Sequence, residues 1–506
     1  MRKPHVSTQK TIAAFSLCAL LTGQALVGQK VAAQPVVDQD AVAQNTQSYP
    51  IASKEAAFGK NAALSDFARE NLKSFSTFTL SNGIPVIVKR NDANRIQHLS
   101  LVLAGGSLLQ TTESAGVESL ALSTMARGSA TYSYEAIQNL LDETSSAISA
   151  GAAFEASSYS LNTLDKYFAR LLPVWADTLV NPAFAEKDFD QVLSDAKLAL
   201  QSKEQNPWAK AGLVMNTELF KGHPYAATPE GTKDSLAVAK LAAIKNWYAT
   251  SFSANRIFVV AVGDFDPAAL RKDLDATIGR IPNRNIALPG KAPPVPVPQA
   301  NKLIKQEYPQ SKGIGYLRGD FAAPGPEDAD FMATNVAMKM LSDLLFNVVR
   351  DKYGATYTPG SYIRAFNANY GSLTIFKTKV ASEVKAYIDE AIASLAAGYC
   401  MSVDPTASEG AEPRMPIADA LPIYKALFLS EYYEKQQTNA AVAAQIAGSV
   451  LTSSDYRSYL LDTDRVRAVT PQAVSAALKK YVLDGKFTWV VLGSKDVTDP
   501  VDESSF

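Results

Sequence analysis

A proline-rich run near the middle of the chain, Leu288-Pro-Gly-Lys-Ala-Pro-Pro-Val-Pro-Val-Pro298, limits the available folds more than any other feature of the sequence. Prolines this close together cannot enter a helix interior or a central strand, and they favour extended, semi-rigid polyproline geometry. Residues 282–299 therefore read as a linker, and the two sides of it carry the same order of elements. Before it come two β-type runs within Phe78–Lys89 about a Ser81-Asn82-Gly83 turn, then a third at Gln97–Leu103. Helical patterns follow at Gly116–Arg127, Ser133–Thr144, Leu164–Leu179 and Glu186–Lys203, with an alternating run from Ala147 to Leu161. Asn181-Pro182 and Asn206-Pro207 punctuate the helices, and the block closes with a helix near Leu236–Ser251 and a buried strand at 256–263.

After the linker come strand runs at Lys302–Glu307 and Gly313–Gly319, a long helix over Asp328–Lys352, a strand at Gly371–Lys379, further helices, and an apolar strand at Phe487–Gly493. Each half ends in a valine-rich strand that runs into glycine, with an aspartate soon after. The repetition predicts an α+β chain of two related domains, 75–281 and 300–506, each a mostly antiparallel sheet packed with helices. The repeat is visible in order more than in identity, so two unrelated domains are the alternative. Ala396 to Pro422, with Asp404-Pro, Gly410, Pro413 and Pro416, reads as a loop insertion in the second half.

Met1 to Ala33 has the pattern of a secretory signal: Arg2, Lys3 and Lys10 in front, an apolar stretch from Thr11 to Val27, and Val31-Ala-Ala33 as the cleavage site. A membrane anchor is the alternative, but Thr22-Gly-Gln24 interrupts the stretch and leaves it short for a span. Cleavage after Ala33 predicts a periplasmic protein with no membrane attachment. It removes four of the 49 basic residues against 50 acidic ones, together with His5 and Cys18. Cys400 is then left without an internal disulfide partner. Residues 34–74, polar and rich in Ala, Gln and Ser, form an N-terminal arm with at most one helix. With a net charge of −1 and no Lys/Arg block, the chain has no field for nucleic acid. Three His and two Cys in all leave little for a metal centre.

Several segments in order make the chain resemble the pitrilysin/insulinase-type zinc peptidases, especially the branch of the mitochondrial processing peptidase and its bacterial relatives. They are Leu80-Ser-Asn-Gly-Ile-Pro-Val, Ala104-Gly-Gly-Ser, Ala115-Gly-Val, Arg127-Gly-Ser-Ala-Thr-Tyr-Ser, Asn181-Pro-Ala-Phe, Gly222-His-Pro-Tyr with Glu230-Gly-Thr, and Asn255 to Asp264. The resemblance covers about residues 75–500. Active members carry H-x-x-E-H on the first helix. Histidines at i and i+4 share a helix face and ligate one zinc, while the glutamate at i+3 activates the metal-bound water. Matched to this chain, those positions fall at Ser119, Leu122 and Ser123, and the family's third ligand, a later glutamate, falls at Ala199. None of the four can serve. A slip of one residue does not rescue the site, because 196–203 holds no acid and no histidine lies between His98 and His223.

The family also places an Arg and a Tyr, seven residues apart in the second domain, across from the zinc site. Arg350 and Tyr357 have that spacing. A guanidinium can hold a substrate carbonyl, and a phenol can stabilise an oxyanion, with about 2.7–4 kcal/mol of barrier commonly lost when one such donor is removed. Without the resemblance, Arg350 reads as a last-turn cation and Tyr357 as a half-buried strand residue. Ser119 and Ser123 have no nearby His or Lys to make either a nucleophile. His98, His223 and Cys400 read as structural. Ile148–Leu161 lies where active relatives offer a sheet edge to extended peptide, and both strand addition and a buried edge are open readings.

The resemblance thus implies a zinc-free subunit of a heterodimeric periplasmic metallopeptidase. This chain would hold no cofactor. A homologous partner would supply H-x-x-E-H and zinc, Arg350 and Tyr357 would act in trans, and unfolded peptide would be the substrate. The alternative is a catalytically inactive peptide-binding or assembly scaffold.

Overall fold

The computed structural model describes residues 48–52, 65–400 and 415–506. The signal sequence and cleavage point after Ala33 lie outside the described residues. Of the N-terminal arm, Tyr49 and Ile51 and the helix α1 (Asp66–Leu72), capped by the Ser65 hydroxyl, pack on the body of the protein. No helix among the described residues is long and apolar enough to cross a membrane.

The first half builds a six-stranded sheet from β1 (Phe75–Thr79), β2 (Pro85–Arg90), β3 (Ile96–Ala104), β4 (Ala147–Ala152), β5 (Ala156–Leu164) and β6 (Ile257–Gly263). Its order is β1-β2-β6-β3-β5-β4, antiparallel except between β2 and β6. The second half uses β7 (Lys302–Glu307), β8 (Gly315–Ala322), β9 (Thr356–Ile363) and β10 (Tyr370–Thr378). A short pair, β11 (Tyr399–Cys400) and β12 (Met415–Pro416), precedes the last strand, β13 (Phe487–Gly493). The order β7-β13-β8-β10-β9, with only β7 and β13 parallel, reproduces β2-β6-β3-β5-β4 strand for strand. The repeat expected from element order is a repeat of topology.

Helices α2 (Val117–Met125), α3 (Tyr134–Thr144), α4 (Asp165–Val180), α5 (Glu186–Gln205), α6 (Pro207–Leu219), α7 (Lys233–Val238), α8 (Leu241–Ser251) and α9 (Pro267–Ala276) belong to the first half. In the second are α10 (Phe331–Leu345), which widens into a π-helical turn over Phe346–Lys352, then α11 (Ala381–Ala396), α12 (Ile417–Glu434) and α13 (Asn439–Ser453). Three expectations need correction. The helix expected near Leu236–Ser251 is two helices, with Thr232 and Ser235 forming a capping box for the first. Residues 417–422 are the start of α12 rather than loop, and that helix absorbs the donor missing at Pro422. Asn206-Pro207 does punctuate, ending α5, but a helix not expected follows it: Asn206 caps the Ala209 N–H of α6 and Pro207 occupies its first turn, where no donor is needed.

Strands β2, β6 and β13 are continuous apolar runs because both faces of each sheet are covered. On the first sheet, Leu99, Leu101, Val259 and Ala261 face that half's own helices. The alternate residues Val102, Phe258, Val260 and Val262 meet Val442, Ala443, Ile446 and Val450 of α13, which comes from the second half. On the second sheet, Tyr316, Tyr370, Val490 and Leu492 meet Ala211, Met215 and Leu219 of α6, from the first half. Burying Val442, Ile446 and Val450 contributes roughly 1.5–3 kcal/mol apiece. The halves exchange one helix each and are interlocked. Between them, residues 282–301 form no helix or strand, yet Ala292 and Val295 are buried beside α6, and His223 Nε2 stands 2.8 Å from the Pro293 carbonyl.

Candidate functional site

Helix α2 starts at Gly116, whose φ of +86° is the left-handed conformation that glycine adopts at no steric cost. A Cβ there would stand 2.7 Å from Cα of Gly231, itself at φ +89°. The two motif segments around Gly116 and Gly231 thus pack backbone against backbone. One face of α2 enters the core through Leu120, Ala121 and Met125. Glu118, fully buried in the first turn, accepts from Arg256 Nη2 at 3.0 Å and from the Ser157 hydroxyl. Arg256 also donates to the carbonyls of Ala104 and Ser251, so this buried pair ties α2 to the ends of β3, α8 and β6.

Ser119 and Ser123 lie one turn apart on α2 and are half-buried, Leu122 is buried, and Ala199 is exposed on α5, which packs against α2. These groups do not fit zinc. Two hydroxyls, an isobutyl group and a methyl stand where imidazoles and carboxylates would be needed. Among the described residues no grouping of three His, Cys, Asp or Glu could hold a metal. One turn beyond Ala199, Lys203 pairs with Glu230. The adjacent β4 is a terminal strand: it pairs only with β5, packs beside α2, and alternates exposed and half-buried residues. Among the described residues no strand pairs with its outer edge, which goes against the buried-edge reading of this segment.

Arg350 lies in the π-helical turn, a local geometry frequent at functional sites. Its guanidinium covers the ring of Tyr357 at 4.4 Å and that of Phe346 at 4.2 Å, with Asp351 3.8 Å away. Tyr357, on β9, is 75% exposed rather than half-buried. The structure brings these two together. The elements that carry them pack on α10, α11 and β10, whereas those bearing Ser119, Ser123 and Ala199 pack on one another, β4 and α8.

The remaining candidates are held internally. His98 contacts Asn162 at 3.3 Å, and His223 accepts the Tyr225 N–H at Nδ1; burial lowers both imidazole pKa values. The Cys400 thiol is buried and pushed up to about 11, which keeps it protonated and unreactive. Sequence reasoning missed Glu155. Its buried carboxylate accepts from Tyr225 Oη, from the Asn367 N–H at 3.0 Å and from Asn367 Nδ2 at 3.1 Å, joining the two halves. Burial raises its pKa, and these hydrogen bonds partly oppose the shift. No local pattern around Glu155 announces partners 70 and 212 residues away.

Residues 86–232 match the family model described as Insulinase (Peptidase family M16), and residues 239–402 match the one described as Peptidase M16 inactive domain. A Helicobacter pylori protein named non-peptidase homolog YmxG is 26% identical over 210 residues, which cover 41% of this chain and 47% of that protein. The match thus spans about half the length of that relative. Among solved structures, the peptidase M16 inactive domain from Pseudomonas fluorescens superposes with a TM-score of 0.71 at 20% identity, covering 83% of this chain and 98% of that one. The periplasmic protease PqqL from Escherichia coli gives 0.68 at 15% identity, covering 92% of this chain and 49% of that one. At these identities the superpositions show a shared fold.

Proposed function

The chain belongs to the insulinase-type M16 peptidase family, and from that premise we propose that it is a subunit without zinc that works beside a homologous, metal-bearing partner. One observation carries the reading. The three ligand positions and the position of the water-activating glutamate hold neither imidazole nor carboxylate, while Arg350 stays stacked on the exposed Tyr357. In that role Arg350 holds a carbonyl of an extended, unfolded peptide. The Tyr357 phenol donates to the oxyanion formed at the partner's centre. The open edge of β4 supplies N–H and C=O groups for the peptide backbone to pair with. The periplasm is the compartment proposed, from the N-terminal signal pattern.

The test begins with the chain alone, which should contain no stoichiometric zinc and hydrolyse no peptide. Co-purification from the native source should recover a zinc-loaded relative. Reconstituted activity should then fall about 100-fold with Arg350→Ala or Tyr357→Phe. Because Tyr357 is exposed, both variants should stay within about 0.5 kcal/mol of wild-type stability, which separates a lost contact from a lost fold. A partner equally active by itself, or variants with no effect on the mixture, would sink the proposal.

A second reading, a pseudopeptidase that binds peptides or assembles with other chains, is favoured by the likeness to a protein named a non-peptidase homolog. Recovery of the chain with no metal-bearing partner would favour it over the first.

A further inference from the structure

The second half carries a half-open cavity of about 720 Å³, within the range that holds a small organic ligand. It lies between the start of α10, the β9–β10 connection, α12 and α13. Helix α13 divides its surface between two duties. Val442, Ala443, Ile446 and Val450 clamp the first half's sheet, while Gln445, Gly448, Ser449 and Thr452 line the cavity. Phe331, Met332, Phe366, Phe428 and Leu429 make the rest of the wall largely apolar.

Five buried polar atoms on this lining have no hydrogen-bond partner within the described protein: Arg364 Nε, Tyr432 Oη, Gln445 Oε1, Tyr459 Oη and Thr463 Oγ1. Tyr459 and Thr463 are only 4% and 1% exposed. A buried polar group left unpaired costs about 1–3 kcal/mol, and five such atoms belong to residues that line this one hollow. The charges leave one cation in excess. Glu431 pairs with Lys339, while Glu327 and Asp462 share Arg465, at 3.5 and 3.1 Å, and Asp462 also feels the charge of Lys435. The cations Arg364 and Lys435 also line the cavity, and neither has a carboxylate within ion-pair distance among the described residues. Arg364 rests instead on the rings of Tyr362 and Tyr370, at 5.2 and 4.9 Å.

We infer that this cavity is a binding site for an apolar monocarboxylate, its hydrocarbon body against the phenylalanine wall and its carboxylate on Arg364 and Lys435. Such a group occurs on a fatty acid and at the free C-terminus of an apolar peptide. The site is independent of the metal question, because it lies wholly within the second half and uses neither Arg350 nor Tyr357. Binding there would also stabilise the inner face of the helix that clamps the two halves together.

The experiment uses the full chain and 1-anilinonaphthalene-8-sulfonate, an apolar body with one anionic group, as the fluorescent probe. Saturable probe binding should be displaced by decanoate, and decanol should compete about tenfold more weakly. N-acetyl-trileucine, compared with its C-terminal amide, separates a peptide carboxylate from a fatty acid as the preferred source. The double variant Arg364→Met/Lys435→Met should weaken decanoate about tenfold and abolish the decanoate-induced rise in unfolding temperature.

Gly448 offers a second handle. A Cβ built there meets nothing within 4 Å, so Gly448→Phe projects into open space, in a helix where any side chain improves on glycine. That variant should fold and lose the probe. Equal affinity for decanol and decanoate, non-saturable binding, or binding unchanged by a folded Gly448→Phe would each overturn the assignment. If Gly448→Phe fails to fold, the double variant decides.

Discussion

Strands β4 and β9 hold the same place in two sheets of the same topology: each ends its sheet and pairs on one side only. What stands beside them differs. Next to β4, helix α2 presents two hydroxyls where metal donors would be, and its remaining residues serve the core through Leu120, Met125 and the Glu118–Arg256 pair. On β9, the exposed Tyr357 carries Arg350 over its ring, and neither side chain has a core to hold together. The difference teaches that folding information and chemistry occupy separate faces of these elements. Ser119 and Ser123 can replace stronger ligands because the face they occupy contributes little to packing. An Arg–Tyr pair kept on an exposed edge draws no such support from the fold.

The largest expected effect tests the packing side of α2. Arg256→Met leaves Glu118 buried without its cation and should cost about 3–5 kcal/mol by chemical denaturation. A loss below about 1 kcal/mol would mean that apolar contacts alone seat the helix. Next is the interlock that makes the two edges parts of one body. Ile446→Ala should cost about 2–5 kcal/mol while the chain still unfolds in one transition, coincident by fluorescence and far-UV circular dichroism. Two separated transitions would break the comparison, since the halves would then be independent. A smaller effect tests whether the face beside β4 lacks only its ligands. In Ser119→His/Ser123→His/Ala199→Glu the imidazoles stand one turn apart, and zinc at 100 times its dissociation constant should add about 2.7 kcal/mol of stability, with no change in the wild type. No zinc effect in the triple variant would show that the local backbone has departed from a metal site as well.

Much of this was legible in the chain. Strands buried on both faces are continuous apolar runs, so β6 and β13 stand out at the ends of their halves, and the proline run between them marks the division. The positions without metal donors and the spacing of Arg350 and Tyr357 became legible once the chain's motifs were matched to those of the family it resembles. Helix α6 was not legible, because Asn206-Pro207 signals equally the end of one helix and the capped start of the next. Nor was the destination of α13. Its apolar stripe declares that it is buried but not against which sheet, and its docking is fixed by contacts such as Asn439 Nδ2 to the Ile96 carbonyl, 343 residues apart.

The sequence by itself determined the fold class, the repeat, the absence of metal donors at Ser119, Leu122, Ser123 and Ala199, and the identity of the Arg–Tyr pair. The first two depend on periodicity and the last two on short motifs matched to the family's, and both are local properties. Tertiary structure alone decided that the halves exchange helices, that Glu118 and Glu155 are paired deep in the protein, and that the residues bearing five unpaired polar atoms line one cavity with Arg364 and Lys435. Each of those depends on which distant surfaces meet, and a one-dimensional pattern carries the fact of burial without the identity of the partner.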